Sequence, residues 1–288
     1  MKRRCQVWAV LNVTPDSFSD GGETFEHAAA FERAKQLLAA GADVIDVGGV
    51  SSRPPGATYG AGAAPVGLEE ELRRVIPVVE QLVHELGARV SVDTSRVDVA
   101  REALRAGASI INDVTNGASE ELLELVAASK AELLLMHNRG DGRAFGENVD
   151  YRNVVEDVMA ELSAAAVRAC AYGMARDRIW VDPGIGFAKT AADSIAVMAA
   201  LPQFLRLGYR VLVGPSRKSF IAVIEANANL TQSAPNERLG GTAASVAFCV
   251  QAGVDAVRVH DVAAMRQTVL VTEALCRAQE RGARERRS

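Results

Sequence analysis

Eight short apolar runs rich in β-branched residues recur along the chain, separated by segments with helical periodicity. The runs occupy residues 7–11, 43–47, 89–92, 109–112, 132–136, 178–181, 210–213 and 256–259. Strands that alternate with helices favour a parallel sheet, because each crossover returns the chain to the same end of the sheet. Eight such units in 288 residues predict a single-domain (β/α)8 barrel, the TIM barrel. An open doubly wound sheet is the alternative, since alternation alone does not distinguish the two folds.

The segments between the runs support this interpretation. Residues 69–86 and 154–173 place apolar side chains at helical spacing. Gly41, Gly107 and Gly253 each stand shortly before a predicted strand, where a glycine typically ends the preceding helix. No glycine-rich loop of the form GxGxxG or GxxxxGK[ST] follows any run, which disfavours the usual nucleotide-binding versions of either fold.

Composition and charge exclude several classes of protein. The 32 basic and 36 acidic residues are too evenly balanced for a general binder of nucleic acids or anionic membranes. The four cysteines are spread over the chain without a C-x-x-C pair, which predicts reduced, packed thiols. No signal peptide is apparent, and no apolar run approaches the roughly 20 residues that span a bilayer. We therefore expect a cytoplasmic protein, with a frayed tail at 278–288.

Polar side chains stand at the carboxyl ends of all eight runs, which is where (β/α)8 barrels build their active sites. They are Asn12, Asp46, Asp93, Asn112 with Asp113, His137, Asp182, the stretch GPSRKS at 214–219, and Arg258 with His260. Any single one of them is compatible with a helix cap or a turn. Because a barrel brings all eight ends to one mouth, the whole set predicts a polar ligand site.

One group of these residues carries positive charge and hydrogen-bond donors. It comprises Asn12, Arg53 in the glycine-rich and proline-rich stretch after the second run, SRKS at 216–219, and RVH at 258–260. Barrels frequently hold phosphate near their last two strands. We expect Ser216 at the start of a helix, where free backbone N–H groups favour an anion.

A second group supplies acceptors and amides on three strands. Asp93, Asn112 and Asp182 suit the N–H edge of a flat heterocycle, and a charge-assisted hydrogen bond of this kind contributes roughly 1.5–3 kcal/mol. The residues alone therefore indicate a phosphorylated, nitrogen-rich planar ligand. His27 and His84 lie within helical segments, and we expect both at the surface.

Nine stretches of the chain resemble the dihydropteroate synthase family, the folate-pathway enzymes that sulfonamide drugs inhibit. They are LNVTPDSFSDGG (11–22), GADVIDVGG (41–49), SVDT (91–94), AGASIINDVTNG (106–117), MH (136–137), DPGIGFAKT (182–190), SRKSF (216–220), ERLGGTAA (237–244) and VRVHDV (257–262). They follow the family's order and cover nearly the whole chain, so the set is highly specific.

The resemblance implies a (β/α)8 barrel that forms a homodimer and joins 6-hydroxymethyl-7,8-dihydropterin pyrophosphate to p-aminobenzoate, with release of pyrophosphate. It implies dissociative substitution at the pterin methylene carbon, in which Mg2+ and cationic side chains stabilise the departing pyrophosphate. The implied partners are these small molecules and a second copy of the chain, not a nucleic acid or a membrane.

The resemblance also assigns roles to individual residues. The implied pterin site comprises Asp93, Asn112, Met136, Asp182, Phe187, Lys218 and Arg258. The implied pyrophosphate site comprises Asn12, Arg53, Arg258 and His260, with Asn12 also a ligand of Mg2+. The implied p-aminobenzoate site comprises Ser52, Pro54, Phe187 and Ser219. Phe18, Asp20, Arg53 and Lys218 are implied in catalysis, and 13–24 and 50–66 are implied to be mobile loops that close over the site.

The chain departs from the family pattern mainly in the second of these loops. Val50, Ser52 and Pro55 stand where the family usually has glutamate, threonine and glycine. Two alternatives stay open at this point. A catalytically silent homologue acting as a binding protein is expected to lose the anion-binding arginine or the S-R-K motif, and this chain keeps both. A pterin-binding methyltransferase domain is disfavoured because SRKSF and VRVH are present.

Overall fold

The eight strands are all parallel and hydrogen-bond in the order in which they occur along the chain, and the last pairs with the first. This is seen in a computed structural model that describes residues 4–13, 23–50, 66–139 and 150–285. The closed strand order confirms the (β/α)8 barrel and excludes the open doubly wound sheet. All eight carboxyl ends therefore meet at one mouth.

Each strand begins and ends within one residue of its predicted run. The strands are β1 Gln6–Asn12, β2 Val44–Gly48, β3 Val90–Asp93, β4 Ile110–Asp113, β5 Glu132–Met136, β6 Ile179–Asp182, β7 Arg210–Val213 and β8 Ala256–Val259. The helices of the described ranges are α1 Glu23–Ala39, α2 Leu68–Leu86, α3 Val97–Arg105, α4 Glu120–Ala128, α5 Val154–Ala171, α6 Ala191–Ala199, α7 Leu201–Phe204, α8 Ser219–Asn227, α9 Leu239–Ala252 and α10 Val262–Glu285.

The predicted glycine caps are confirmed by backbone geometry. Gly41, Gly107 and Gly253 have φ angles of 97°, 98° and 98°, in the left-handed region that ends a helix with little strain in glycine. At the opposite ends, Ser119 accepts a hydrogen bond from the backbone of α4, and Thr190 forms a capping box at the start of α6.

The barrel interior is filled in layers, because side chains alternate between the two faces of each strand. An apolar layer fills the half nearer the amino ends and comprises Trp8, Val44, Ile110, Leu134, Trp180, Leu212 and Ala256. The rings of Trp8 and Trp180 meet edge to face at 5.1 Å. The residues two positions later face the same interior, one layer nearer the mouth, and they are Val10, Asp46, Asn112, Met136, Asp182, Gly214 and Arg258. The barrel interior thus changes from an apolar layer to a largely polar layer, here called the polar floor, over two positions along each strand.

Three further expectations can be compared with the structure. The four cysteines are free thiols, as predicted. Among the described helices, none is long and apolar enough to cross a membrane. The frayed tail at 278–288 stays a prediction, and the structure describes α10 as far as Glu285. Its last two turns are rich in Ala, Gln, Glu and Arg, which are good helix formers.

Candidate active site

The polar floor of the mouth is organised around Arg258. Its guanidinium donates from Nη1 to Asp46 Oδ2 and from Nη2 to Asp182 Oδ2, and both distances are 3.2 Å. Asn112 Nδ2 donates to the same Asp46 oxygen at 3.2 Å. One buried arginine therefore ties β2, β6 and β8 together, with β4 joined through the amide. A planar fork suits this bridging role better than the point charge of a lysine.

Burial and like charges shift the protonation of these groups. Burial raises the pKa of Asp93 to about 7, and the neighbouring Asp46 carboxylate adds to the effect. Burial also raises the pKa of Asp182, against the opposing charge of Arg258. Burial disfavours the charge of Arg258, but the three carboxylates together outweigh it and raise the guanidinium pKa. Asp93 is therefore a carboxyl group beside the polar floor, and its charge changes near neutral pH.

Some oxygens of the floor have no hydrogen-bond partner among the described residues. Asp46 Oδ1 and Asn112 Oδ1 are buried atoms without a hydrogen bond, whereas Asp182 Oδ1 accepts from the backbone N–H of Gly184 at 2.8 Å. Buried acceptors are rarely left unpaired, because each lost hydrogen bond costs about 1–3 kcal/mol. Because Asn112 donates its amide N–H to Asp46, its carbonyl oxygen is presented as an acceptor.

One wall of the mouth is formed by Phe187, Lys218 and Met136. Lys218 Nζ lies 4.0 Å from the centroid of the Phe187 ring, a cation–π contact. Burial lowers the pKa of Lys218 to about 8. The sulfur of Met136 lies 3.8 Å from Arg258 Nη2. The wall therefore combines an aromatic face and a thioether with a cation, above the acceptors of the floor.

The stretch after β7 forms a tight turn before α8. The prediction that Ser216 starts the helix is wrong, because α8 begins at Ser219 with Lys218 as its N-cap. Arg217 has a φ of 60°, which a right-handed helix cannot contain. Thr242 accepts from the Arg217 backbone N–H, and Asp261 pairs with its guanidinium at 2.6 Å, so this conformation is held on two sides.

Ser216 instead joins the last strand. Its hydroxyl lies 3.0 Å from His260 Nδ1 and accepts from the His260 backbone N–H at 3.3 Å. Burial and the charge of Arg217 lower the pKa of His260 to about 4, so the imidazole is neutral near pH 7. Ser219 is exposed at the first turn of α8, where backbone N–H groups have no partner in the helix.

A metal site made of the protein alone is not seen in the described ranges, which hold no group of three or more His, Cys, Asp or Glu placed around one point. Asn12 offers an amide oxygen instead. Its Oδ1 lies 3.6 Å from the point where a Cβ would stand on Gly48, and Asp93 Oδ2 lies 3.9 Å from the same point. Mg2+ commonly takes one or two protein oxygens and completes its shell with water and substrate phosphates. An amide oxygen and a carboxylate oxygen are ligand types that Mg2+ takes, so the donor chemistry at Asn12 suits this ion.

Other expected residues lie elsewhere. Asp113 accepts from Thr115 and from the backbone of Gly117, so it stabilises a turn outside the floor. Phe18, Asp20, Ser52, Arg53 and Pro54 lie outside the described residues, as do positions 14–22 and 51–65 of the two expected loops. Val50, the described departure from the family pattern in the second loop, is partly buried.

The chain matches the family model of pterin binding enzymes over residues 8–260. It is 44% identical over 276 residues to the dihydropteroate synthase of Synechocystis sp. PCC 6803, covering 96% of this chain and 91% of that relative. The chain belongs to the dihydropteroate synthase family. A dihydropteroate synthase of Xanthomonas albilineans solved with 4-aminobenzoic acid is 39% identical, with a TM-score of 0.85 and coverage of 94% of this chain and 93% of that one. A dihydropteroate synthase of Clostridium difficile solved in the presence of pteroic acid is 37% identical, with a TM-score of 0.84 and coverage of 95% and 97%.

This membership confirms the resemblance seen in the sequence, and with it a transferase of the dihydropteroate synthase kind that acts in folate biosynthesis. It disfavours the methyltransferase alternative, because these relatives are synthases.

The sequence-based role assignments for a dihydropteroate synthase left out several residues. Asp46 was identified as a strand end without a role, yet it holds both Arg258 and Asn112. His137 was likewise identified as a strand end without a role, and Lys189 was not singled out because it follows the end of β6 by seven positions. In the structure Lys189 Nζ lies 2.8 Å from His137 Nδ1. A lysine within a glycine-rich turn was the signal available in the sequence.

Proposed function

We propose that this chain uses the carboxylate floor and the Phe187–Lys218 wall to hold the pterin ring while its pyrophosphate leaves. The observation that carries this proposal is the bridge from Arg258 to Asp46 and Asp182, which leaves acceptor oxygens buried at the mouth. A pterin presents N–H groups along one edge and an aromatic face. Asp93, Asn112 and Asp182 provide acceptors for the edge, and Arg258 provides a planar cation for the face.

The same residues favour a dissociative reaction. The bond from the methylene carbon to the pyrophosphate oxygen breaks first, and positive charge spreads over the dihydropterin ring. The carboxylates of Asp93 and Asp182 stabilise that charge more than they stabilise the neutral ring, which lowers the barrier. The aniline nitrogen of p-aminobenzoate then forms the new C–N bond and loses a proton, giving 7,8-dihydropteroate, pyrophosphate and a proton.

The leaving group is stabilised by residues at the ends of β1 and β8. With the Ser216 hydroxyl donating to His260 Nδ1, the imidazole carries its hydrogen on Nε2, which can donate to a phosphate oxygen. Asn12 would hold Mg2+, which when bound neutralises charge on the departing pyrophosphate. Arg53 stays a sequence-based prediction for the same role. The carboxylate of p-aminobenzoate is proposed to bind at Ser219, where the N-terminus of α8 favours an anion.

Turnover with product identification tests the proposed function. The folded protein should convert 6-hydroxymethyl-7,8-dihydropterin pyrophosphate and p-aminobenzoate into 7,8-dihydropteroate, detected by mass spectrometry, with one pyrophosphate per product. Chelation of Mg2+ should slow turnover, and added Mg2+ should restore it. Pterin binding without product would favour the catalytically silent homologue, and absence of both would contradict the proposal.

We propose a homodimer as the assembled form, supported by an apolar face on three neighbouring helices. Val223 and Ile224 of α8, Leu239 and Phe248 of α9, and Leu270, Val271 and Leu275 of α10 are all more than a third exposed. Clusters of exposed apolar side chains mark interaction surfaces more often than isolated ones do. Each copy offering the same face is the arrangement of a two-fold dimer. The cytoplasmic location stays a sequence-based prediction.

The dimer is tested by placing a charge in this face. Phe248→Glu should give a monomer in analytical ultracentrifugation at micromolar protein, because two buried carboxylates would have to meet across the interface. Val167→Glu on α5 is the matched control, since Val167 is similarly exposed outside the face. A wild type that is already monomeric, or a dimeric Phe248→Glu variant, would contradict the proposal.

A further inference from the structure

Lys189 is a buried lysine whose three N–H groups have three partners. Its side chain follows the turn after β6 and is 4% exposed. Nζ lies 3.2 Å from the carbonyl oxygen of Gly184, 3.0 Å from that of Phe187 and 2.8 Å from His137 Nδ1. A lysine is almost never buried without such pairing. Because all three donors are engaged, Lys189 is placed to shape the protein and not to contact a substrate.

The turn that Lys189 spans has an unusual backbone. Gly184 and Gly186 have φ angles of 67° and 80°, and Ala188 has a φ of 46° although it carries a Cβ. A Cβ on Gly184 would lie 2.0 Å from the carbonyl oxygen of His137, so the turn is pressed against the end of β5. A non-glycine residue in the left-handed region is held there by its surroundings, at a cost of about 1–3 kcal/mol. Tyr151 contributes to this by donating its hydroxyl hydrogen to the Ala188 carbonyl at 2.8 Å.

His137 connects Lys189 to the helices outside the barrel. Burial and the charge of Lys189 lower the pKa of His137 to about 4, so the imidazole is neutral. Nδ1 accepts from Lys189, and Nε2 then carries the hydrogen and donates to Glu161 Oε2 at 3.0 Å. Arg139 donates from Nε to the same carboxylate at 3.0 Å. The His137 tautomer with hydrogen on Nε2 gives every group in this series of hydrogen bonds a partner, and the series fixes the position of Lys189 Nζ.

From these contacts we propose that Lys189 is a positioning residue of the synthase, which folds the turn 183–189 so that the Phe187 ring faces Lys218 in the pterin site. The carbonyl of Phe187 is one of its acceptors, and the Phe187 ring lies 4.0 Å from Lys218 Nζ. The turn also carries the Gly184 N–H that holds Asp182 Oδ1 at 2.8 Å. The inference rests on the proposed function, because it takes Phe187 and Asp182 to bind the pterin.

Lys189→Met keeps an unbranched side chain of nearly the same length and removes its donors. We expect the KM for 6-hydroxymethyl-7,8-dihydropterin pyrophosphate to rise about tenfold or more while kcat falls less than about threefold, because the wall is displaced but the reacting groups remain. Lys35→Met, at an exposed lysine of α1, should leave both constants unchanged. A loss of active protein alone would lower kcat at constant KM, and that outcome would overturn the proposal.

A double-mutant cycle tests whether Lys189 acts through Phe187. Phe187→Ala should raise the same KM, and adding Lys189→Met to it should change KM by no more than about twofold. Fully additive effects would overturn the proposal. If Lys189→Met does not fold, Tyr151→Phe loosens the same turn at Ala188 while keeping the ring beneath Arg139, and an unchanged KM in that variant would also overturn it. An inactive wild type would contradict the proposed function instead, so the two failures are distinguishable.

Discussion

Replacing Arg258 with methionine should lower the free energy of unfolding by about 3–5 kcal/mol and abolish detectable turnover. The guanidinium is 11% exposed and bridges Asp46 and Asp182, which are 4% and 1% exposed in their side chains. Removing the cation leaves two buried carboxylates without the guanidinium that pairs with both. Urea unfolding at pH 7, compared with the wild type at equal protein concentration, measures the loss.

Two comparisons of unfolding free energy distinguish unpaired buried charge from lost packing as the cause of the destabilisation. Adding Asp46→Asn to Arg258→Met should recover part of the lost stability, because one uncompensated charge is removed. Lowering the pH should also reduce the difference from the wild type, since the unpaired carboxyls then take up protons. An Arg258→Met variant as stable as the wild type, or one whose loss is the same at pH 5 and pH 8, would show that the bridge is not what holds the floor.

Asp93→Asn should lower kcat/KM for the dihydropterin pyrophosphate about 10-fold to 100-fold, which corresponds to one charge-assisted hydrogen bond and its share of the cation stabilisation. Relative to this variant, the wild type should also show a rise in kcat/KM between pH 6 and pH 8. Burial and Asp46 raise the pKa of Asp93 to about 7, so the carboxylate forms as the pH passes that value. The asparagine variant should lack this rise.

The sign of this pH dependence distinguishes Asp93 from its neighbours. Burial also lowers the pKa of Lys189 to about 7, but loss of that proton would weaken the turn and lower activity as the pH rises. For folding stability the Asp93 shift acts in the opposite direction from activity. Its folded pKa lies above the unfolded value, so its contribution is fully present below the unfolded pKa, about 4, and is lost as the pH rises through about 7. A wild-type kcat/KM that stays constant or falls relative to that of Asp93→Asn between pH 6 and pH 8 would contradict the assignment.

The barrel itself was predictable because the strand pattern of the eight apolar runs agrees with the helical pattern of the segments between them. Alternation within each strand places Val44 and Ile110 in the apolar layer and Asp46 and Asn112 two positions later at the mouth. Glycines with positive φ, such as Gly253, end the helices where the sequence indicated. Polar residues at strand ends therefore predicted the location of the site, although not the partner of each residue.

What the sequence did not predict depends on contacts between distant segments. Ser216 was expected at a helix start, but Arg217 takes a left-handed conformation that Thr242 and Asp261 stabilise from elsewhere in the chain. No local sequence pattern predicts such a contact. The pairing of Lys189 with His137 spans 52 positions and needs the two turns to be packed together before it can form. The family resemblance supplied the site residues that local patterns left undecided.

A crystal structure of the protein with bound 6-hydroxymethylpterin tests whether the polar residues at the mouth hold the pterin ring. We expect the N–H edge of the ring to lie within hydrogen-bond distance of Asp93, Asn112 and Asp182. The face of the ring should lie against Arg258, and the ring should also contact Phe187. The acceptor Asn112 Oδ1, which has no partner among the described residues, should then be hydrogen-bonded. A pterin bound elsewhere at the mouth, or one that leaves these three acceptors without a contact, would contradict the account.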